Sequence, residues 1–275
     1  MKRILLALAL LAALPAHAQF NFNLNRILDA AKNVGQATGE IDEKQEIQIG
    51  RDLGARLLGA APLVADARVQ RYVNHVGRWL AAQTERPDLP WQFGVLDAPQ
   101  VNAFAVPGGT IFVTRGLLER MRSESELAGV LAHEIAHVLQ KHHLKAMQKN
   151  AKASLAGDAL STALQDQNSL VRDKLISFGT ELYARGLDKS DELEADRLGV
   201  VIAARGGYDP YGLPTVLQVL QRMNPEDSGL ALMFKTHPAP GERLDALGRM
   251  ETILEGYAAQ PRLEERFASE TKGAK

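Results

Sequence analysis

The sequence predicts an α+β fold that is mostly α-helical, with one small antiparallel β-sheet, and three observations carry that expectation. Apolar residues recur at helical spacing along most of the 275-residue chain. Three short stretches, at residues 91–96, 102–106 and 110–114, instead alternate or concentrate β-formers, and Pro107-Gly108-Gly109 between the last two is a turn sequence. Directly after them, Ser123-Glu124-Ser125-Glu126 has the form of a capping box and opens the apolar run from Leu127 to Leu139, so a buried helix follows the sheet. The remaining helices are expected at about residues 23–34, 42–58 and 67–83 before the strands, and at about 144–164, 169–184, 190–204, 210–223 and 241–257 after them. Trp79 and Trp91 are expected in the core.

Composition limits what such a fold is for. Lys and Arg number 32 against 33 Asp and Glu, a net charge of −1, which gives no electrostatic case for nucleic-acid binding. Met1-Lys2-Arg3, a short apolar run to Leu14 and Pro15-Ala16-His17-Ala18 have the three parts of a secretory signal peptide, with cleavage expected after Ala18. No later stretch has the roughly twenty apolar residues of a membrane span, so no transmembrane span is expected in the mature chain. The absence of cysteine fits an oxidising compartment. With no internal repeat and only short Gly and Pro breaks, residues 19–263 read as a single domain, and the polar tail 264–275 is expected to stay unstructured.

His133-Glu134-Ile135-Ala136-His137 lies within the apolar run and carries the chemistry. On an α-helix residues i and i+4 share a face, so both imidazoles can reach one ion while Glu134 reaches a water on it. Leu127, Leu131, Ile135 and Val138 make that helix a core element, whose polar groups need a partner; a zinc ion, one per chain, supplies it. The third ligand has two candidates. His143 stands where a longer zinc motif places a third histidine, but Gln140 replaces the glycine that would let the helix stop, and on a continuing helix His143 points away. The adjacent His142 reads as a solvated helix end favoured by the dipole. Downstream, Asp191-Glu192-Leu193-Glu194-Ala195-Asp196 opens another helix on which Glu192 and Asp196 share a face while Glu194 points elsewhere. Glu192 would complete a His2Glu site, and Asp196 would accept the free ring N–H of a ligand histidine.

These motifs, with His237-Pro238-Ala239-Pro240-Gly241-Glu242-Arg243, Asn102-Ala103-Phe104 before Pro107-Gly108-Gly109, and the entry helix from Glu46 to Gly50, resemble the gluzincin family of CAAX prenyl proteases, HtpX-like heat-shock proteases and their periplasmic relatives. The resemblance implies a zincin-like metalloprotease fold with the sheet beside the HExxH helix. It implies His133, His137 and Glu192 as zinc ligands, Glu134 as general base, Asp196 in support, and His237 and Arg243 lining the cleft, where either would stabilise an oxyanion. Asn102, Ala103 and Phe104 would form an edge strand that holds an extended substrate. The implied activity is a periplasmic zinc endopeptidase cleaving protein or peptide substrates, in particular misfolded or unassembled envelope proteins, with envelope-assembly partners. The competing class is an envelope-assembly chaperone or binding protein whose zinc site is latent or structural, closed by His237. Residues 145–188, amphipathic but rich in Ala, Ser and Gln, read as ordinary surface helices, with a lid or membrane-surface face as the alternative.

Overall fold

The computed structural model describes residues 41–157, 186–224, 227 and 229–274; the expected signal peptide, the helix at 23–34, the end of that at 144–164 and the helix at 169–184 lie outside the described residues. The first helix, α1 (Glu43–Ala60), starts at a reciprocal capping box in which Asp42 and Gln45 each accept the other's backbone N–H. Helix α2 (Ala67–Ala81) is capped by Asp66, which accepts from Arg68 and Val69, and lays Val69, Val73, Val76 and Leu80 against the sheet.

The sheet has three strands, β1 (Gln92–Leu96), β2 (Ala103–Val106) and β3 (Thr110–Thr114), in the spatial order β1-β3-β2. β2 and β3 form the expected antiparallel hairpin, with Phe104 opposite Phe112, and its turn places Gly108 and Gly109 at φ 79° and 99°, where side chains are disfavoured. β1, however, pairs with β3 in parallel, so the sheet is mixed rather than purely antiparallel. The cause is the loop at 97–102, which carries the chain past the place that β3 later fills. β2 is thereby left at an edge.

After the one-turn α3 (Arg115–Leu118) comes α4 (Glu124–Leu139), the axis of the molecule: every residue from Glu124 to Val138 is buried. Its main neighbours are α6 (Lys189–Arg205) and α7 (Gly212–Gln221), and β2 runs along it as well. α6 can approach so closely because Gly199 faces the α4 backbone; a Cβ there would lie 2.9 Å from the Cα of His133. Between them, α5 (His142–Gly157) begins only two residues after α4 ends. The chain closes with α8 (Ala231–Thr236), α9 (Pro240–Gly248), α10 (Glu251–Leu254) and α11 (Glu264–Glu270).

Helix α11 corrects the expectation of an unstructured tail. One large apolar residue decides it: Phe267 is 1% exposed against Tyr72, and such burial contributes about 1.5–3 kcal/mol. Arg266 reaches Glu124 and Glu270 pairs with Arg68 at 2.8 Å, so the polar residues of the tail are also engaged. Of the two tryptophans, Trp91 is buried as expected, whereas Trp79 is 51% exposed and only its indole N–H is tied down, to the Gly206 carbonyl.

One buried carboxylate ties the N-terminal half together. Glu46 on α1 accepts from both terminal nitrogens of Arg86 at 3.0 Å and from the Gly108 amide at 3.2 Å, and lies 3.3 Å from Lys141 Nζ. Alongside it, a Cβ on Gly50 would meet the Pro107 carbonyl oxygen at 1.7 Å, so α1 sits directly on the hairpin turn.

Candidate metal centre and cleft

His133 and His137 project from one face of α4, and their Nε2 atoms stand 3.1 Å apart. Glu192, from the first turn of α6, brings Oε2 to 3.6 Å from His133 Nε2 and Oε1 to 3.6 Å from His137 Nε2. Ligand atoms around a tetrahedral zinc with bonds of about 2.0–2.1 Å are roughly 3.3 Å apart, so this spacing suits the ion. Donor chemistry agrees: two imidazoles and a carboxylate converge, and Glu192 Oε2, although buried, has no hydrogen-bond partner among the described residues. His237, which ends α8, aims Nε2 at the same place, 3.7 Å from Glu192 Oε2, while its Nδ1 meets the Thr236 hydroxyl at 3.0 Å. His133, Glu192 and His237 together satisfy the spacing of a metal-binding group.

Charge around the cluster is ordered by partners. Asp196, one turn along α6 from Glu192, holds His133 Nδ1 at 2.9 Å and is itself clasped by Arg243, with Nη2 at 2.6 Å and Nε at 2.8 Å. Arg243 thus gives Nε and Nη2 to Asp196 and also lines a cavity beside Glu134 and His237. Burial alone would push the Asp196 carboxyl up, but the Arg243 guanidinium and His133 hold it well below the ordinary range. Glu192 is likewise brought down to about 2: burial opposes its charge, but His237, His133 and Arg243 outweigh burial. On His133, burial and Arg243 oppose a proton, yet Asp196 and Glu192 raise its pKa to about 9. Glu134 is raised to about 7 by burial, moderated by His133 and by a hydrogen bond from the Ala105 backbone.

The expected strand residues lie where the site needs them. Asn102, Ala103 and Phe104 line a cleft with Glu134, His137, Glu192 and His237. A second, mostly apolar cavity opens on the other side of Asn102 and Glu134, walled by Leu117, Val130, Leu213, Val216, Leu220 and Met233. The Asn102 side-chain oxygen is buried there without a hydrogen-bond partner among the described residues.

Two readings of the sequence around His142 are corrected. α4 does not continue: Lys141 takes φ 55°, a left-handed conformation that ends the helix and turns the chain back. His143 consequently lines the cleft, its ring 5.4 Å from that of His137. His142 is 3% exposed, not solvated, and meets His137 Nδ1 through its own Nδ1 at 3.0 Å. Glu194, expected to point elsewhere, approaches His142 Nε2 at 3.3 Å. The only signal in the sequence was the His-His pair itself, because Lys is not a residue that announces a left-handed turn.

Comparison with known proteins agrees with this geometry. Residues 67–251 match the family model described as peptidase family M48. The beta-barrel assembly-enhancing proteases of Yersinia pestis and Escherichia coli O157:H7 are 31% and 33% identical over 80% of this chain and 47% of their own length. The mitochondrial metalloendopeptidase OMA1 of Arabidopsis thaliana is 31% identical over 64% of this chain and 34% of its own. The chain spans about half the length of the assembly-enhancing relatives it matches. Its HExxH helix, the acidic helix packed across it and the match over residues 67–251 lead to one conclusion: the chain belongs to peptidase family M48.

Proposed function

We propose that this chain is a zinc-dependent endopeptidase of the cell envelope. The observation that carries the reading is the convergence of His133, His137 and Glu192 beside buried Glu134, facing an edge strand. A bound zinc ion would supply a Lewis acid for the scissile carbonyl and acidify the attacking water. Glu134, with a pKa of about 7 from burial, is suited to take that water's proton near neutral pH and pass it to the leaving amine. His237 is the group placed to donate to a developing oxyanion. Arg243 acts through Asp196, which fixes the ring of His133.

Substrate is held by strand addition to β2. The Asn102 carbonyl accepts from Thr114 N–H, so by the alternation of an antiparallel ladder the backbone groups of Ala103 turn outward, to the cleft. The Asn102 carboxamide and Phe104 would flank the bound chain, and the apolar cavity would take one large apolar side chain near the scissile bond. Misfolded or unassembled envelope proteins are the substrates this reading favours. In its support are the signal-peptide pattern with cleavage expected after Ala18, the likeness to the beta-barrel assembly-enhancing proteases, and the absence, among the described residues, of a helix long and apolar enough to cross a membrane. The same relatives favour envelope-assembly partners.

A second reading, a latent enzyme or assembly chaperone, is favoured by one observation: His237 Nε2 lies near enough to the cluster to close the site as a further ligand. One experiment tests both, using zinc analysis and hydrolysis of unfolded casein by the chain beginning at Gln19. Glu134→Gln should retain about one zinc while losing hydrolysis by at least about a hundredfold; substantial residual hydrolysis sinks the endopeptidase assignment. His237→Ala should keep zinc and slow hydrolysis if it is an oxyanion donor, and speed it if the histidine holds the site shut.

A further inference from the structure

The two histidines of the candidate zinc site are supported from behind in different ways. His133 leans on Asp196. His137 leans on His142, Nδ1 to Nδ1 at 3.0 Å, and His142 in turn on Glu194 at 3.3 Å. A hydrogen bond between two Nδ1 atoms requires that one carry the proton and the other the lone pair. If His142 donated, the neutral His137 ring would carry its proton on Nε2, directed at His133 and Glu192, and could not ligate there. If His137 donates, its Nε2 lone pair faces the cluster, and the His142 proton must sit on Nε2, where Glu194 accepts it. Only the second arrangement satisfies all three residues.

We propose that His142 is a positioning residue for the zinc ligand His137, selecting its tautomer and ring orientation, and that Glu194 selects the tautomer of His142. This rests on the zinc-site reading above. The device depends on the left-handed turn at Lys141, held by Glu46, which brings His142 back over the end of α4. It also explains a helix that begins on two histidines of which the first is buried. Glu194 remains about half exposed, so this support reaches solvent at its end, whereas the Asp196 and Arg243 support is buried throughout.

The test is zinc affinity, by competition with a chromophoric chelator, together with long-range 1H–15N spectra of the zinc-loaded protein. His142→Leu should weaken zinc binding about 10–100-fold, the usual cost of losing such a partner. His142→Asn, which keeps an acceptor near the position of Nδ1, should recover most of that loss. Spectra of the unsubstituted protein should show His137 protonated on Nδ1 and His142 on Nε2. A proton on His142 Nδ1, unchanged affinity in His142→Leu, or equal losses in the Leu and Asn variants would each overturn the inference. If His142→Leu fails to fold, the spectra of the unsubstituted protein still decide it. Failure of that protein to bind zinc at all would instead remove the zinc-site reading itself.

Discussion

Glu124 and Glu192 are both 1% exposed, both in the first turn of a long helix, and opposite in what surrounds them. Glu124 accepts hydroxyls from Tyr72 and Tyr208, each at 2.8 Å, and both donor nitrogens of a forked contact with Arg266. Burial and the nearby carboxylate push both phenols well above the ordinary tyrosine range. Every oxygen of that site is used. Glu192 sits among histidines instead, with one oxygen 3.6 Å from His133 Nε2, 3.7 Å from His237 Nε2 and without a hydrogen bond among the described residues. A carboxylate that its fold satisfies completely is a joint, here fastening the C-terminal helix to the start of α4. One that the fold leaves short of partners has capacity to bind a further group, as the proposed zinc site requires.

Substitution should separate the two. The largest expected effect is on zinc: Glu192→Ala should weaken binding by more than about a hundredfold, exceeding the cost of losing an outer partner. It should also lower the urea midpoint of the zinc-free protein, by less than Glu124→Ala does, because the Glu192 charge, opposed by burial, is favoured by His237, His133 and Arg243 although Oε2 accepts no hydrogen bond among the described residues. Glu124→Ala should keep zinc stoichiometry while losing on the order of 3 kcal/mol of stability, because Tyr72 and Tyr208 are left with buried, unpaired hydroxyls. Chelator competition and urea unfolding measure the pair, and equal effects of both variants on both readouts would break the comparison. The smallest effect is a proton count. Without zinc, His133 carries a pKa raised to about 9, so it is protonated at pH 8 and must lose that proton before it can ligate. Titration calorimetry in buffers of different ionisation enthalpy should show about one proton or more released per zinc at pH 8, with affinity falling as pH is lowered. No release would mean that the carboxylates do not hold a proton on His133.

Much of this site was legible before any coordinates, for a simple reason. The HExxH residues, and Glu192 with Asp196, are related by helical spacing, and helical spacing fixes which side chains share a face. The hairpin was legible from Pro107-Gly108-Gly109, whose backbone requirements are local. What was not legible depends on distant partners. Lys141 adopts a left-handed backbone angle in a setting where Glu46, from another helix, meets its ammonium group, and without that turn His142 and His143 are misplaced. The tail folds because Phe267 finds Tyr72, and Arg243 faces Asp196 because α9 packs on α6 and α7, neither of which periodicity can report. The parallel pairing of β1 is topological in the same sense: its composition is that of any short buried strand.

Glu46 touches both the hairpin turn, through Gly108, and the end of the HExxH helix, through Lys141. The strand that would hold a substrate backbone and the helix that carries the general base are thus referred to one carboxylate, as two rulers are read from a common zero. Loss of that carboxylate would free the hairpin turn and the end of α4 from their shared partner, and the spacing between β2 and Glu134 would no longer be referred to a single group. Since a misplacement of about 1 Å can cost about a hundredfold in rate, a contact behind the hairpin turn can matter to the cleft as much as a residue that lines it.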